Sequence, residues 1–245
     1  MFPLKDDIPS RSVPFVTCGL IALNVLIFLY QISLQGEGSQ AAARAARDFI
    51  FEFGLVPCRL TGECAPGGGL LPPALTVLTS MFLHGGFLHV GGNMLYLWIF
   101  GNNVEDTLGH ARFLIFYLVS GVAAAAAQVA LSAASTVPMI GASGAVAGVL
   151  GAYLLLFPRA NVLTLIIFGF FVRLVRIPAV FVLGFWFAVQ FLYGLATWAS
   201  PVPRGEAAGG ETAWFAHLGG FLAGMVLLFV LRPRDPWARG PSRSW

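Results

Sequence analysis

The sequence predicts an all-α membrane protein with six transmembrane helices. Hydrophobic residues make up 58% of the 245 positions, and charged residues make up only 10%. The mean hydropathy is strongly positive, at +0.81. Long uncharged runs recur along the chain, and about 20 apolar residues suffice to cross the hydrocarbon core of a bilayer. A water-soluble globular fold is therefore excluded.

Six uncharged segments account for the predicted helices. Residues 15–32 form the first, and a signal peptide is the alternative interpretation, although its apolar core normally has only about 7–15 residues. Residues 113–158 contain no charge, which is too long for one helix, and the polar stretch 132–138 divides them into two. The predicted helices comprise approximately residues 15–32, 85–103, 113–131, 141–158, 177–198 and 212–231.

The first loop of this predicted bundle is long, extending over residues 33–79. Within it, residues 41–53 have the charge pattern of an amphipathic helix at the membrane interface. Cys58 and Cys64 also lie there, without the further ligands that a zinc site needs. A disulfide between them requires an extracytoplasmic loop, and the sequence leaves that pairing open.

A shorter apolar segment, residues 160–172, precedes the fifth predicted helix. It is too short to cross the bilayer before Arg173 and Arg176 follow. Apolar backbone that does not span the bilayer must satisfy its hydrogen bonds locally. This segment is therefore predicted to form an interfacial hairpin or a short re-entrant piece.

The basic residues predict the orientation of the bundle. Six spans place both termini on one side, and ten of the 14 Lys and Arg residues then lie on that side. The positive-inside rule therefore predicts N-in/C-in topology and an extracytoplasmic first loop. The predicted parts are a short cytoplasmic N-terminus (1–14), a membrane domain (15–231) and a basic cytoplasmic tail (232–245). No continuous basic stripe accompanies the net charge of +3, so we expect no nucleic-acid partner.

Two faces of small residues predict a close helix–helix contact. Ser143 lies at the edge of one face, and His217 lies on the other. The first face consists of Gly144, Gly148 and Gly151, and the second of Gly220 and Gly224. Because glycine lets helix backbones approach closely, we expect these faces to pack together and to bring Ser143 within hydrogen-bonding distance of His217.

Ser143 and His217 have the chemistry of a catalytic pair. A serine hydroxyl is a poor nucleophile until a neighbouring base takes its proton, and neutral histidine is the usual base. Lys5 is the only lysine and precedes the first helix, while no Asp or Glu lies inside a predicted helix. The predicted unit is therefore a Ser–His dyad. Alternatively, Ser143 only contributes a polar group to the packing of the helices. A histidine inside the membrane, by contrast, usually has a function.

His89 and Asn93 are candidates for stabilising an oxyanion. They are four residues apart, so both side chains lie on one face of the second helix. Helices two, four and six run in the same direction, which places Asn93, Ser143 and His217 within roughly 10 Å of the outer surface. The start of the fourth helix adds backbone N–H donors and the positive end of its dipole. Alternatively, His89 and Asn93 only join helices by hydrogen bonds.

Three motifs together resemble those of the rhomboid intramembrane serine proteases. They are Gly141-Ala142-Ser143-Gly144, His89-x-x-x-Asn93 and His217-x-x-Gly220-x-x-x-Gly224. The resemblance covers residues 15–231 and implies a six-helix rhomboid-like bundle. It implies Ser143 as nucleophile, His217 as general base, and His89, Asn93 and the Ser143 backbone N–H as oxyanion donors. It further implies cleavage of peptide bonds in or near transmembrane segments of substrate proteins in the lipid bilayer, without cofactor or metal.

This chain departs from some rhomboids at two points. Some members have an aromatic ring four residues after the nucleophile, stacked on the histidine, and here that position is Ala147. The first loop also lacks the Trp-Arg pair of some members.

Substrate access requires two events: the substrate segment must unfold locally, and water must reach Ser143. We therefore expect movement of the fifth helix or of the Gly- and Pro-rich loop 202–211.

Two other functions fit parts of the pattern. A catalytically inactive rhomboid-like scaffold would bind membrane proteins without cleaving them. A small transporter would use His89, Asn93 and His217 as a polar pathway, but internal repeats are typical of that class and none is evident.

The remaining histidines, His84 and His110, are interpreted as structural. The composition, rich in Ala, Gly and Arg, suggests a bacterial inner membrane protein.

Overall fold

The computed structural model describes residues 2–36, 39–64, 69–169, 171–199 and 213–233. The fold is mainly helical, with a small sheet. The strands are β1 (Phe2–Asp6), β2 (Asn161–Phe168) and β3 (Phe171–Pro178). The helices are α1 (Phe15–Ser33), α2 (Gln40–Phe53), α3 (Pro57–Thr61), α4 (Pro73–Thr79), α5 (Phe87–Leu108), α6 (His110–Leu131), α7 (Ser143–Leu156), α8 (Ala179–Ala199) and α9 (Trp214–Leu231).

All six predicted membrane segments are helical, but they differ in length. Within the described residues, α1, α6, α8 and α9 are long and apolar enough to cross a membrane. The short helices from Pro73 to Phe82 and α5 form a bent pair, with an angle of 82° at the break. The 14 residues of α7 extend about 21 Å, which is shorter than a typical hydrocarbon core of about 30 Å. Four spans, or five with the bent pair, are thus identified by length and composition.

The fold is mostly helical, as predicted, but it is not entirely α, because the N-terminal residues and the α7–α8 connection form an antiparallel sheet in the order β1-β2-β3. The hairpin predicted at 160–172 is present as β2 and β3. It extends to Pro178, so α8 begins two residues later than predicted. Valine, isoleucine and phenylalanine favour extended backbone in this segment. β1 has no such local signal, because its partner strand lies about 160 residues further along the chain.

Helices α7 and α9 form the closest contact of the bundle. A Cβ on Gly220 would overlap the carbonyl oxygen of Gly144, and a Cβ on Gly224 would overlap that of Gly148. The predicted packing of the two glycine faces is therefore confirmed. Every residue of α7 from 144 to 153 is buried, with α5, α6 and α9 around it. This burial holds the first residue of α7 at a defined position.

Two acidic side chains at the end of α5 bind the segment that leads into α1. The buried Glu105 carboxylate accepts the backbone N–H groups of Val16 and Thr17 at 2.9 and 2.8 Å. Asp106 accepts the backbone N–H of Arg11 at 2.6 Å. A carboxylate at a helix N-terminus satisfies N–H groups that lack intrahelical partners and interacts favourably with the helix dipole. These bonds attach α1 to α5.

The first loop contains the amphipathic helix and the disulfide that were considered from its sequence. The amphipathic segment is helical as α2, and the Ser39 hydroxyl accepts the Ala42 N–H at 3.1 Å to cap it. Cys58 and Cys64 form a disulfide, with 5.2 Å between their Cα atoms. The Cys58 N–H donates to the Ser135 carbonyl at 3.0 Å, so this loop packs against the segment before α7. The loop 202–211 and tail residues 234–245 lie outside the described residues.

Candidate active site

Ser143 and His217 lie where α7 and α9 converge. Ser143 is the first residue of α7, and His217 is the fourth residue of α9. The Ser143 Oγ is 2.8 Å from His217 Nε2, which is a hydrogen-bonding distance. The imidazole is buried, whereas the serine is partly exposed. The glycine contacts between the two helices permit this separation, because larger side chains would push the backbones apart.

Gln190 of α8 is the second hydrogen-bond partner of His217, and it was not among the predicted site residues. Its Oε1 lies 2.6 Å from His217 Nδ1. An amide oxygen can only accept, so Nδ1 donates and Nε2 accepts the Ser143 hydroxyl proton. A buried polar side chain inside a membrane helix needs a partner, and this principle marks Gln190 in the sequence without indicating which residue it contacts.

Two tryptophans surround the His217 ring. The centroid of Trp186, on α8, lies 5.8 Å from the imidazole centroid, with 40° between the planes. Trp214, on α9, lies at 6.2 Å and meets the ring edge-on. Ala147 is buried in α7 and carries no ring. The aromatic neighbours of the histidine therefore come from α8 and α9, not from the position four residues after Ser143.

His89 and Asn93 lie on α5 beside the start of α7. The Gly85 N–H donates to His89 Nδ1 at 3.3 Å, which leaves the proton of a neutral imidazole on Nε2. That nitrogen faces Gly141, where an added Cβ would overlap it. Asn93 Nδ2 donates to the His89 carbonyl at 3.1 Å and retains a second hydrogen for another acceptor. Both side chains thus offer a donor to the region around Ser143.

The first turn of α7 adds further donors, and Gly141 sets the path of the backbone that leads into it. Gly141 has φ +126°, a conformation that side chains disfavour, and its N–H donates to the Ser80 carbonyl at 2.9 Å. Among the described residues, no side chain caps α7. The N–H groups of its first turn therefore lack a side-chain acceptor, and negative charge beside Ser143 would meet the positive end of the helix dipole.

A cavity of about 830 Å³ connects these groups. Its walls are mainly apolar, and its polar lining includes His89, Asn93, Ser143 and His217. The cavity has the size of a small-molecule or peptide site. Among the residues that the structure describes, no three His, Cys, Asp or Glu side chains are grouped to hold a metal ion.

The Rhomboid domain family model matches residues 73–234, which is about two thirds of the chain. The chain belongs to the rhomboid family. Over 161 residues it is 35% identical to Rhomboid protein 1, mitochondrial, of Saccharomyces cerevisiae, covering 62% of this chain and 40% of that protein. Over 237 residues it is 26% identical to RHOMBOID-like protein 1 of Arabidopsis thaliana, covering 90% of this chain and 54% of that protein.

A bacterial relative matches a shorter part of this rhomboid family member. Over 78 residues the chain is 42% identical to Rhomboid protease GluP of Bacillus subtilis, covering 32% of this chain and 15% of that protein. The matches cover about half or less of the length of these relatives. In this chain the three motif segments lie on α5, α7 and α9, whereas Gln190 and Trp186 lie on α8.

The other two histidines of this rhomboid family member lie outside the Ser–His pair. His84 is buried, with its ring centroid 5.0 Å from that of His89, and its backbone N–H donates to Gln31 Oε1 at 3.0 Å. His110 Nδ1 lies 2.6 Å from Glu105 Oε1. His110 thus joins α6 to α5, and the backbone of His84 joins the turn before α5 to α1. The structural interpretation of both side chains stays a prediction.

Proposed function

We propose that this rhomboid family member is an intramembrane serine endopeptidase, with Ser143 as nucleophile and His217 as general base. The observation that carries the proposal is the 2.8 Å contact between Ser143 Oγ and His217 Nε2. As Oγ attacks the carbonyl carbon of the scissile bond, Nε2 takes the hydroxyl proton. The substrate carbonyl oxygen then becomes an oxyanion.

Three donors stabilise that oxyanion in the proposed mechanism: the Ser143 backbone N–H, His89 Nε2–H and an Asn93 Nδ2–H. Preorganised donors are effective in a low-dielectric site, because they need no reorientation as the charge develops. The intermediate collapses to an acyl-enzyme, and His217 gives its proton to the leaving amine. The same nitrogen then takes a proton from water, which hydrolyses the ester on Ser143.

The proposed substrates are transmembrane proteins of the same bilayer. A cavity with mainly apolar walls, built between apolar helices, suits a segment that leaves the lipid phase. A helical substrate hides its carbonyls in internal hydrogen bonds, so residues that destabilise its helix favour cleavage. The word protease in the name of the relative GluP is in line with this activity.

The proposed topology has six spans with both termini cytoplasmic, in a bacterial inner membrane. The bent pair ending in α5 counts as one span and the short α7 as another. Four of the 14 basic residues then lie outside, in keeping with the positive-inside rule. The disulfide between Cys58 and Cys64 suits a first loop in an oxidising compartment.

The test uses protein purified into lipid vesicles with a reporter whose transmembrane segment contains helix-destabilising residues. We expect Ser143→Ala and His217→Ala each to lower kcat at least ~1,000-fold, because neither residue can form the acyl-enzyme without the other. Ser33→Ala, on α1 and bonded within its own helix at Tyr30, is the matched control and should cleave normally.

A fluorophosphonate probe separates the rival functions. We expect the probe to label the wild type and Ser33→Ala on Ser143, and to leave Ser143→Ala unlabelled. Cleavage that survives Ser143→Ala would refute the proposal. A folded wild type that neither cleaves nor reacts with the probe would support a non-catalytic scaffold instead.

A further inference from the structure

We propose that Gln190 is a positioning residue that keeps His217 in the tautomer required for general-base catalysis. The inference rests on the proposed function, in which His217 accepts a proton from Ser143. Gln190 Oε1 is 2.6 Å from Nδ1, and Ser143 Oγ is 2.8 Å from Nε2. The two ring nitrogens therefore have different partners on opposite sides of the imidazole.

The tautomer determines whether His217 can act as a base. A neutral imidazole carries one proton, and catalysis needs that proton on Nδ1 so that the Nε2 lone pair faces the serine hydroxyl. With the proton on Nε2, the ring would donate to Ser143 and could not deprotonate it. The Gln190 carbonyl oxygen favours the productive form, because it has no hydrogen to donate to Nδ1.

A carboxylate usually orients the catalytic histidine, and this chain has none available in its membrane helices near the ring. No Asp or Glu occurs from residue 107 to 205, and α9 contains none. Glu105 and Asp106 instead bind the N-terminal region of α1. In an apolar bundle a neutral amide is also cheaper to bury than a charged group. Gln190 supplies the acceptor geometry without a charge.

Aromatic contacts on both sides of Gln190 hold it against α9. Phe187 packs on Phe221 with 4.8 Å between ring centroids, and Tyr193 stacks on Trp214 at 5.0 Å. With Gln190 between them, these residues follow helical spacing and form one face of α8. The amide is therefore placed by packing and is itself buried, with an exposure of 8%.

The decisive variant is Gln190→Met, which removes the acceptor and keeps an unbranched side chain. With ¹⁵N-labelled histidine, we expect the proton to shift from Nδ1 towards Nε2 of His217, as read from the ¹⁵N chemical shifts of the two nitrogens. We expect kcat to fall about tenfold, which corresponds to about 1.4 kcal/mol. KM should change less than about twofold, because the substitution leaves the contacts between the protein and the bound substrate unchanged.

Gln190→Glu tests the same acceptor with a charge added. We expect its His217 to keep the Nδ1 proton and its kcat to stay within about threefold of wild type at neutral pH. The acidic limb of its pH–rate profile should move to higher pH, because a carboxylate stabilises the imidazolium form that cannot act as a base. The displacement requires residue 190 to face the imidazole, and its absence would contradict that geometry.

Gln128→Met is the matched control. Gln128 lies on α6, and its Oε1 accepts the backbone N–H of Ala216, next to His217, at 3.2 Å. It therefore contacts α9 without touching the imidazole, and its loss should leave the tautomer and kcat unchanged. An unchanged His217 spectrum in Gln190→Met would overturn the proposal, as would an equal loss of kcat in Gln128→Met.

Failure of the proposed function can be distinguished from failure of the positioning role of Gln190. If Ser143→Ala still cleaves the reporter, the serine mechanism is wrong. The ¹⁵N spectrum of substrate-free protein nevertheless shows whether Gln190 sets the tautomer of His217. Only the shift of the proton together with the selective loss of kcat supports the positioning role.

Discussion

Residues without side chains determine the geometry around Ser143. Gly220 and Gly224 let the α9 backbone reach that of α7, so the histidine of one helix meets the serine of the other. Gly141 serves a different purpose, because its φ of +126° turns the chain into α7 beside the His89 ring. At this position an alanine would be both strained and in collision with the imidazole.

Gly141→Ala is therefore expected to disturb both catalysis and folding. Its strained backbone should lower the free energy of unfolding by about 1–3 kcal/mol. Displacement of His89 should lower kcat at least tenfold, because one of the proposed oxyanion donors is then lost. Reporter cleavage and thermal unfolding in detergent measure the two effects.

Gly91→Ala is the control for that substitution. Gly91 lies within α5, and no described atom would lie within 4 Å of its added Cβ. Alanine favours a helix by about 1 kcal/mol over glycine, so this variant should unfold at an equal or higher temperature and cleave normally. Equal activity of the Gly141 and Gly91 variants would contradict the role given to Gly141.

At the scale of elements, the small sheet attaches the N-terminal residues to the membrane helices. Asp6, in β1, accepts the Tyr153 hydroxyl of α7 and the Asn103 amide of α5, both at 2.6 Å. Burial raises the pKa of Asp6, and the hydrogen bond from Tyr153 offsets this only in part. The neighbouring Asp7 is different, because hydrogen bonds from Asn161 hold its pKa below the usual value.

These opposite shifts predict opposite effects of two adjacent substitutions. Because the pKa of Asp6 is raised above its unfolded value of 3.8, folding favours its protonated form and its contribution to stability falls as pH rises through the folded pKa. An asparagine at the same position has no proton to lose in this range. Relative to wild type, Asp6→Asn should therefore become more stable as pH increases from about 4 towards 7.

Asp7→Asn should show the reverse trend at lower pH, below about 4. The lowered pKa of Asp7 means that its contribution is present above 3.8 and is lost as pH falls through the folded pKa. This variant should be less stable than wild type near neutrality and approach it in acid. Melting temperatures of the three proteins across pH test both trends, and parallel curves would refute them.

At the scale of the whole molecule, α8 is the helix that both completes the site and borders the lipid. It packs mainly on α9, and it carries Trp186 and Gln190 to His217. Its other faces expose large apolar side chains, among them Phe181, Phe185, Leu192 and Leu195. Outward movement of α8 would open the cavity to the bilayer, and the observed position of α8 is the one in which Gln190 contacts His217.

A covalent link between α5 and α8 is therefore expected to stop cleavage of transmembrane substrates. Cysteines introduced into the two helices in a Cys18→Ala background can be joined by a bifunctional maleimide. The linked protein should still react with a small fluorophosphonate, because Ser143 and His217 stay in contact. The same double variant without the reagent is the control, and full cleavage by the linked protein would exclude movement of α8.

Local patterns in the amino-acid sequence were enough to predict the membrane class, the approximate helices and the contact between Ser143 and His217. Hydropathy is summed over one segment, and the spacing of glycines defines one face of a helix. Both properties can therefore be determined from a short stretch of sequence. The catalytic roles assigned to Ser143, His217, His89 and Asn93 stay predictions for the experiments above. Helix ends were less predictable, since α7 covers Ser143–Leu156 where residues 141–158 were predicted.

The partners of single polar groups and of β1 depend on the packing of the folded bundle. Gln190 meets His217 because the rotation and depth of α8 bring that one amide to the ring, and no periodic pattern encodes either quantity. β1 pairs with β2, and Asp6 reaches Tyr153, across about 150 residues of chain. Such contacts depend on how the whole bundle packs, because each is worth little until many others have fixed the backbones that carry it.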